Sequence, residues 1–253
     1  MSNILNRTAQ ALDHIAANPR GLTVTELAKE THTSKSTASR LLSSMMEAGM
    51  IERDDAQRHY LDVRFWRLGA RSIRRLTVLD VARPHILAAV KELGVSVFVA
   101  VAREDKAIYL ENMTLLGGHP FMTLVSYVVP IYACAPGKAI LAHSDAKAIR
   151  AVLDRPLEKF TPTTLATKSE LAEELLRIRN LGYALNRSEY AENGRIAVAV
   201  PIFDSTSAPV ASICFHGMTE EERVKAVVPS LLDLGRTISS SLGYAPAVHD
   251  LVG

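Results

Sequence analysis

The chain is short of several things, and each shortage removes a class of protein. Only two of its 253 residues are cysteine. Cys134 and Cys214 lie far apart and neither belongs to a CxxC pair, which excludes a disulfide scaffold and a zinc finger. No apolar run approaches the ~18 residues of a membrane span. Asn3, Asn6 and Arg7 break up the start, where a signal peptide would carry its apolar core, so a cytoplasmic location is expected. There is no internal repeat and no low-complexity tract. Charge of one sign is also lacking: 29 Lys and Arg face 27 Asp and Glu, a net +2. What asymmetry exists is local, because residues 1–80 hold 12 basic residues against 9 acidic ones.

What is present begins with three short helical patterns. Ile4, Leu5, Ala9, Leu12, Ile15 and Ala16 recur near the helical period, and "ANPRG" ends that helix. Thr23 with Glu26 three residues later spells a capping box, which predicts a second helix over 24–30. A third is expected over 34–48, closed by Gly49. Then "MIERDDAQRHYLDV" alternates around a polar centre and predicts a hairpin, with strands 50–53 and 58–62 about a turn at 54–57. Three helices and a hairpin in this order describe a winged helix-turn-helix.

On the third helix Ala38, Leu41, Leu42 and Met45 line one face, while Ser36, Thr37, Ser39, Arg40, Ser43 and Ser44 line the other, with Lys35 at its edge. Short hydroxyl side chains allow close approach to a duplex and bond phosphates or base edges. Arg adds two-point recognition of guanine. The plainer reading is that these hydroxyls only cap and solvate an ordinary helix. Arg53 and Arg58 near the hairpin turn favour the DNA reading, since a basic wing beside a reading helix contacts phosphates or the minor groove. The expected DNA-facing set is Thr33, Ser34, Lys35, Ser36, Thr37, Ser39, Arg40, Arg53 and Arg58.

The segment "RFWRLGARSIRRL" places Arg64, Arg67, Arg71, Arg74 and Arg75 on one helical face, opposite Phe65, Trp66, Gly69, Ala70, Ile73 and Leu76. No acidic residue intervenes to compensate these charges. The reading is a linker helix, apolar side in a dimer and basic side toward DNA or the partner subunit. The alternative is a solvated charged face.

Beyond it lie an amphipathic helix over 79–93, a strand apolar on both faces over 95–102 and therefore central in its sheet, and a strand over 107–113. A Gly- and Pro-containing segment, 117–135, leads to the helix start "APGKAILAH" and to helices over 145–152 and 168–181. The strand pair "RIAVAVPIFD" and "PVASICF" and a closing helix over 220–242 complete an α+β domain. The expected boundaries are 1–62 for the winged helix, 63–78 for the linker helix and 79–253 for the second domain.

In that domain Pro136 suits a first helical turn, and the free N–H groups of Gly137, Lys138 and Ala139 then point from a positive helix end, a natural carboxylate receptor. A helix start without ligand is the plainer alternative. The "GK" is no nucleotide loop, because GxxxxGK[ST] is absent and Ala139 replaces the required hydroxyl. In "SICFH", Ser212, Cys214 and His216 share one face of a strand, where a polar ligand would partner them. Alternatively Cys214 is a small core residue and His216 a strand end. An enzyme reading takes Cys134 or Cys214 as nucleophile with His143 or His216 as base, or zinc on Cys214 and His216. It lacks a carboxylate orienter and a hydrolase elbow.

The order of these parts resembles the isocitrate-lyase-regulator (IclR) family of bacterial transcription factors. The likeness is carried by "GLTVTELAKETHTSKSTASRLLSSMMEAGMIERD", "VPIYACAPGKAILA", "IRNLGYALNRSEYAENGRIAVAVPIFD", "VASICFHG" and "LLDLGRTISSSLG", and it spans nearly the whole chain. It implies a winged helix, a linker helix and a GAF-like α/β effector-binding domain. It also implies a homodimer or dimer of dimers on a palindromic operator in double-stranded DNA, controlling a catabolic operon, with neither cofactor nor metal nor membrane involved. The family's reading helix maps onto Lys35, Ser36, Thr37, Arg40, Leu41 and Leu42. Its small organic acid site maps onto Cys134, Ala135, Pro136, Gly137, Cys214 and His216, with Glu189 and Ala197 as further candidates. Ser34 stands where the family often has proline, and His32 where it often has leucine. Cys214 and His216 stand where it often has serine, which leaves open a small keto acid or a larger, aromatic effector.

Overall fold

The computed structural model describes residues 4–73 and 77–245, the side chains of Trp66, Ala70 and residues 71–73 excepted. The chain divides into two compact units, 1–76 and 77–253.

In the first unit α1 (Ile4–Ala17), α2 (Val24–Glu30) and α3 (Lys35–Glu47) are followed by the hairpin β1 (Ile51–Arg53) and β2 (His59–Leu61). The capping box forms as spelled: the Thr23 N–H donates to Glu26 Oε2 at 2.8 Å, and the Glu26 N–H donates to Thr23 Oγ1 at 3.3 Å. Ser34 caps α3 by accepting the Thr37 N–H at 3.2 Å. Ala11, Ile15, Leu22, Leu27, Leu42, Met45 and Ile51 form the core on which the three helices and the hairpin close. Leu22 and His59 exchange backbone hydrogen bonds, so the loop before α2 extends the hairpin sideways. Gly21 makes this possible: at φ +67°, a Cβ there would lie 2.7 Å from the Tyr60 ring.

The helix α4 (Val63–Ile73) starts on Asp62, whose carboxylate accepts the Arg64 N–H at 2.7 Å. Arg64 then reaches back, and its Nη1 donates to the carbonyl of Ala48 at the end of α3, also at 2.7 Å. So one member of the expected basic stripe closes a helix end. Arg67 is exposed, whereas the Arg71 side chain and Arg74 and Arg75 lie outside the described residues.

The second unit is an antiparallel sheet of seven strands between helices. Its strands are β3 (Ser96–Arg103), β4 (Lys106–Leu116), β5 (His119–Leu124), β6 (Val128–Pro130), β7 (Ala184–Arg187), β8 (Ile196–Phe203) and β9 (Pro209–Met218). They run in the order β5-β4-β3-β9-β8-β7, with β6 also pairing β4. The doubly apolar β3 is central, as its sequence predicts. The helices α5 (Thr77–Leu93) and α9 (Glu221–Ser241) pack on each other and on the sheet. There a Cβ on Gly235 would come within 2.8 Å of Val200. The helices α6 (Ala135–His143), α7 (Ala146–Leu153) and α8 (Lys168–Leu181) bury the alternate residues Ala199 and Cys214, with Phe98 and Ala197 packed beside them. A single 3-10 turn (Ile131–Ala133) leads directly into α6.

The segment 117–135 is more regular than its Gly and Pro content predicts, for it supplies β5 and β6. Gly117 and Gly118, both at positive φ, form the tight turn between β4 and β5.

Candidate DNA-reading helix and effector cavity

The reading surface expected from the sequence is the outer face of α3. Ala38, Leu42 and Met45 are buried, Leu41 and Thr37 half-buried, and Lys35, Ser36, Ser39, Arg40, Ser43 and Ser44 exposed. Thr33, Ser34, Ser36 and Thr37 spend hydroxyls on the helix start: Ser34 Oγ lies 3.0 Å from Ser36 Oγ and 2.9 Å from Thr37 Oγ1, and Thr33 Oγ1 lies 3.0 Å from Thr31 Oγ1. Lys35, Ser39 and Arg40 form no side-chain hydrogen bond or ion pair among the described residues.

The two wing arginines differ. Arg53 is exposed, and its side chain has no hydrogen bond or ion pair among the described residues. Arg58, expected to face DNA, instead ties the hairpin to the start of α2. Its Nε donates to the Arg20 carbonyl at 2.6 Å, and its Nη2 donates to Gly21 O at 3.0 Å and to the Glu26 carboxylate at 3.1 Å. A guanidinium has five donors in a fixed fork, and most of this fork is already used.

In the second unit a cavity of about 190 Å³ opens between the sheet, the start of α6 and the loop 188–195. Phe98, Tyr109, Ala197, Cys214 and His216 face it from the sheet. Cys134 and Ala135 face it from α6, and Ser188, Tyr190 and Arg195 from the loop. Five of the eight effector residues expected from sequence therefore meet here: Cys134, Ala135, Ala197, Cys214 and His216.

Pro136, Gly137 and Glu189 do not line it, and each has another task. Pro136 fills the first turn of α6, as expected of its fixed φ. Gly137 is a packing glycine: a Cβ on it would stand 2.1 Å from the Ile131 carbonyl oxygen. Glu189 turns from the cavity to Lys138, whose Nζ donates to its two oxygens at 2.6 and 2.7 Å. Thr161 and Thr164 hold the Glu189 carbonyl through their hydroxyls. Ser212 shares the strand face of Cys214 but is fully buried and donates to Val200 O at 2.8 Å.

The cavity interior is uncharged. Burial pushes the Cys134 thiol up to about 11, against the Gly137 N–H and the Tyr109 hydroxyl, which favour the thiolate. Burial also pushes Cys214 upward, with Cys134 adding to the effect, and raises Tyr109 well above the usual phenol range. His216 is pushed down to about 4 by burial and then by the Arg195 charge. Its ring stacks on Phe98 with centroids 3.8 Å apart and planes 16° apart. Its Nε2 lies 3.0 Å from Asn112 Oδ1. A carbonyl oxygen only accepts, so Nε2 carries the proton. Neutral thiols in an apolar pocket are poor nucleophiles, and no group of three His, Cys, Asp or Glu side chains able to hold a metal occurs among the described residues.

Phe98, Tyr109, Ser188, Tyr190 and Arg195 lie outside the set that the sequence suggested. Phe98 and Tyr109 lie in the strands expected over 95–102 and 107–113, but nothing in those strands singles them out. Ser188, Tyr190 and Arg195 lie in a segment that carries the family resemblance, but the resemblance points only to Glu189 and Ala197 within it.

Residues 70–240 match the family model described as bacterial transcriptional regulator IclR C-terminal, and residues 5–55 match the IclR helix-turn-helix domain. The chain belongs to the IclR family. It is 29% identical to the HTH-type transcriptional regulator BhcR of Paracoccus denitrificans, over 96% of this chain and 87% of that protein. The crystal structure of the Thermotoga maritima IclR is similar at a TM-score of 0.72 and 28% identity, covering 96% of this chain and 100% of that one. An IclR homologue from Microbacterium hydrocarbonoxydans, solved with 4-hydroxybenzoate, shares the fold at a TM-score of 0.78 and 23% identity, over 95% and 99% of the two chains. This IclR-family chain is thus a helix-turn-helix transcriptional regulator and not an enzyme. The hydrolase and zinc readings of Cys214 and His216 fall with that assignment.

Proposed function

We propose that this IclR-family regulator reads a palindromic operator with α3 and releases or tightens its hold when a small organic acid enters the cavity of the second unit. The observation that carries the DNA half is the face of α3, where Lys35, Ser39 and Arg40 are exposed and their side chains have no hydrogen bond or ion pair among the described residues. Arg53 on the wing joins them, whereas Arg58 acts as a brace. The effector half is supported by the cavity that gathers Cys134, Ala135, Ala197, Cys214 and His216 between the sheet and the first turn of α6. The 4-hydroxybenzoate complex of the Microbacterium hydrocarbonoxydans homologue supports an organic acid as the class of effector.

The assembly is a homodimer or dimer of dimers, acting in the cytoplasm on a catabolic operon. Such an arrangement turns a change of spacing between two reading helices into a change of affinity. The test is a gel-shift titration with the DNA upstream of the gene, at stated salt. Specific, salt-sensitive retardation is expected. Arg40→Ala should weaken it by the ~1–3 kcal/mol of a base contact while sparing non-specific binding. Equal loss on specific and random DNA would assign Arg40 to phosphates instead.

A further inference from the structure

The cavity of about 190 Å³ is smaller than the ~300–1,000 Å³ of pockets that take drug-sized molecules. Its walls say more than its size. Phe98 and Tyr109 meet edge-on with centroids 5.0 Å apart and planes at 83°. Val129 and Ile196 extend this apolar lining, and the small side chains of Ala133, Ala135 and Ala197 leave the space open. No Asp or Glu lines the cavity among the described residues. The nearest buried carboxylate, Glu189, is turned away and held by Lys138.

Among the described residues the one cation on the lining is Arg195, exposed at the mouth. Its Nη1 donates to the Gly217 carbonyl at 3.3 Å, and it forms no ion pair among the described residues. Most of its fork is therefore available to a planar anion, the shape that a guanidinium binds through two parallel hydrogen bonds. The burial that keeps Cys134, Cys214 and His216 neutral makes the interior hostile to a second charge.

We propose that the effector is a single-ring aromatic monocarboxylate, its carboxylate on Arg195 at the mouth and its ring inside against Phe98 and Tyr109. This rests on the effector reading of the cavity given above and narrows it. A ring entering edge-to-face extends the geometry that Phe98 and Tyr109 already adopt. A two- or three-carbon keto acid would leave those walls uncovered. It would also bring a second strongly solvated group against the apolar walls of Phe98, Val129 and Ile196, away from the polar loop residues Ser188 and Asn193.

The experiment is calorimetric titration of the full-length protein at neutral pH with benzoate, benzamide and pyruvate. Benzoate should bind about tenfold or more tighter than either of the others. Arg195→Gln should bring benzoate down to the level of benzamide and leave benzamide unchanged, with the melting temperature of the free protein preserved because Arg195 is exposed. Pyruvate binding as tightly as benzoate would overturn the aromatic class while the effector reading stood. Benzoate binding unaffected by Arg195→Gln would overturn the role of Arg195. If no carboxylate bound, and none altered retardation of the upstream DNA, the effector reading would fall as well.

Discussion

Lys138 Nζ lies 2.6 and 2.7 Å from the two carboxylate oxygens of Glu189, and the two residues are only 1% and 7% exposed. The pair joins the second turn of α6 to the loop that walls the cavity. Glu174 stands 3.6 Å from the same ammonium and is itself bonded by Arg177, so the buried charges balance. Breaking such a pair leaves one ion stranded, which costs more than the pair contributes. Lys138→Met or Glu189→Gln should each destabilise by about 3–5 kcal/mol, whereas a joint Lys138→Met, Glu189→Leu change should cost less than either. Urea denaturation of the three variants measures this; equal or additive losses would refute the coupling.

Gly137 gives a second prediction. With the Ile131 carbonyl oxygen 2.1 Å from an added Cβ, Gly137→Ala must push α6 off the preceding 3-10 turn. The loss should reach or exceed the ~1–3 kcal/mol usual for overpacking. The thermal melt should fall with or without ligand. A normal melt with ligand binding alone impaired would show Gly137 to be a ligand contact after all.

His216 makes stability depend on pH. Its folded value of about 4 lies below the ordinary 6.5, so between these values the unfolded chain binds more protons than the folded one. The contribution is complete above pH ~6.5 and is lost as pH falls toward ~4. Denaturation of the wild type and of His216→Asn at about pH 7.5 and about pH 5 isolates this part, since other groups cancel in the difference. The wild type should lose more on acidification. An identical loss in both would remove His216 from the account.

The two wing arginines should separate cleanly. Arg58→Ala removes the brace to Arg20, Gly21 and Glu26 and should lower the melting temperature along with DNA affinity. Arg53→Ala should leave the melt alone and reduce the salt slope of DNA binding by about one phosphate's worth. Indistinguishable melts for the two variants would contradict the structural role of Arg58.

Much of the first unit was legible because its signals are local. A capping box, a hydroxyl cap before a periodic run and a closing glycine are each written within a few residues. The helices and hairpin accordingly stand where their residues place them. In the second unit β3 was legible as central from its doubly apolar pattern. β5 and β6 were not, because Gly117, Gly118, Pro120 and Pro130 read as loop, whereas two of them build a hairpin turn and two sit at the sheet margin.

The cavity was half legible. Strand alternation put Cys214 and His216 on one face, but nothing local says that Glu189 pairs with Lys138 51 residues away. Nor does anything local say that Arg58 is consumed by a loop 37 residues earlier. Long-range partners decide whether a charged side chain is a brace or a contact.

The hydrogen bond from Arg64 to the Ala48 carbonyl fastens the first turn of α4 to the last turn of α3. The bond couples the start of α4 to the end of α3 across the intervening hairpin. On the function proposed above, a torque applied along α4 carries α3 with it, so a bound effector would alter the distance between the half-sites of a palindromic operator and not the bases each half-site prefers. Operators with one base pair inserted or removed at the centre should therefore reverse their ranking with effector, while changes within a half-site should keep theirs.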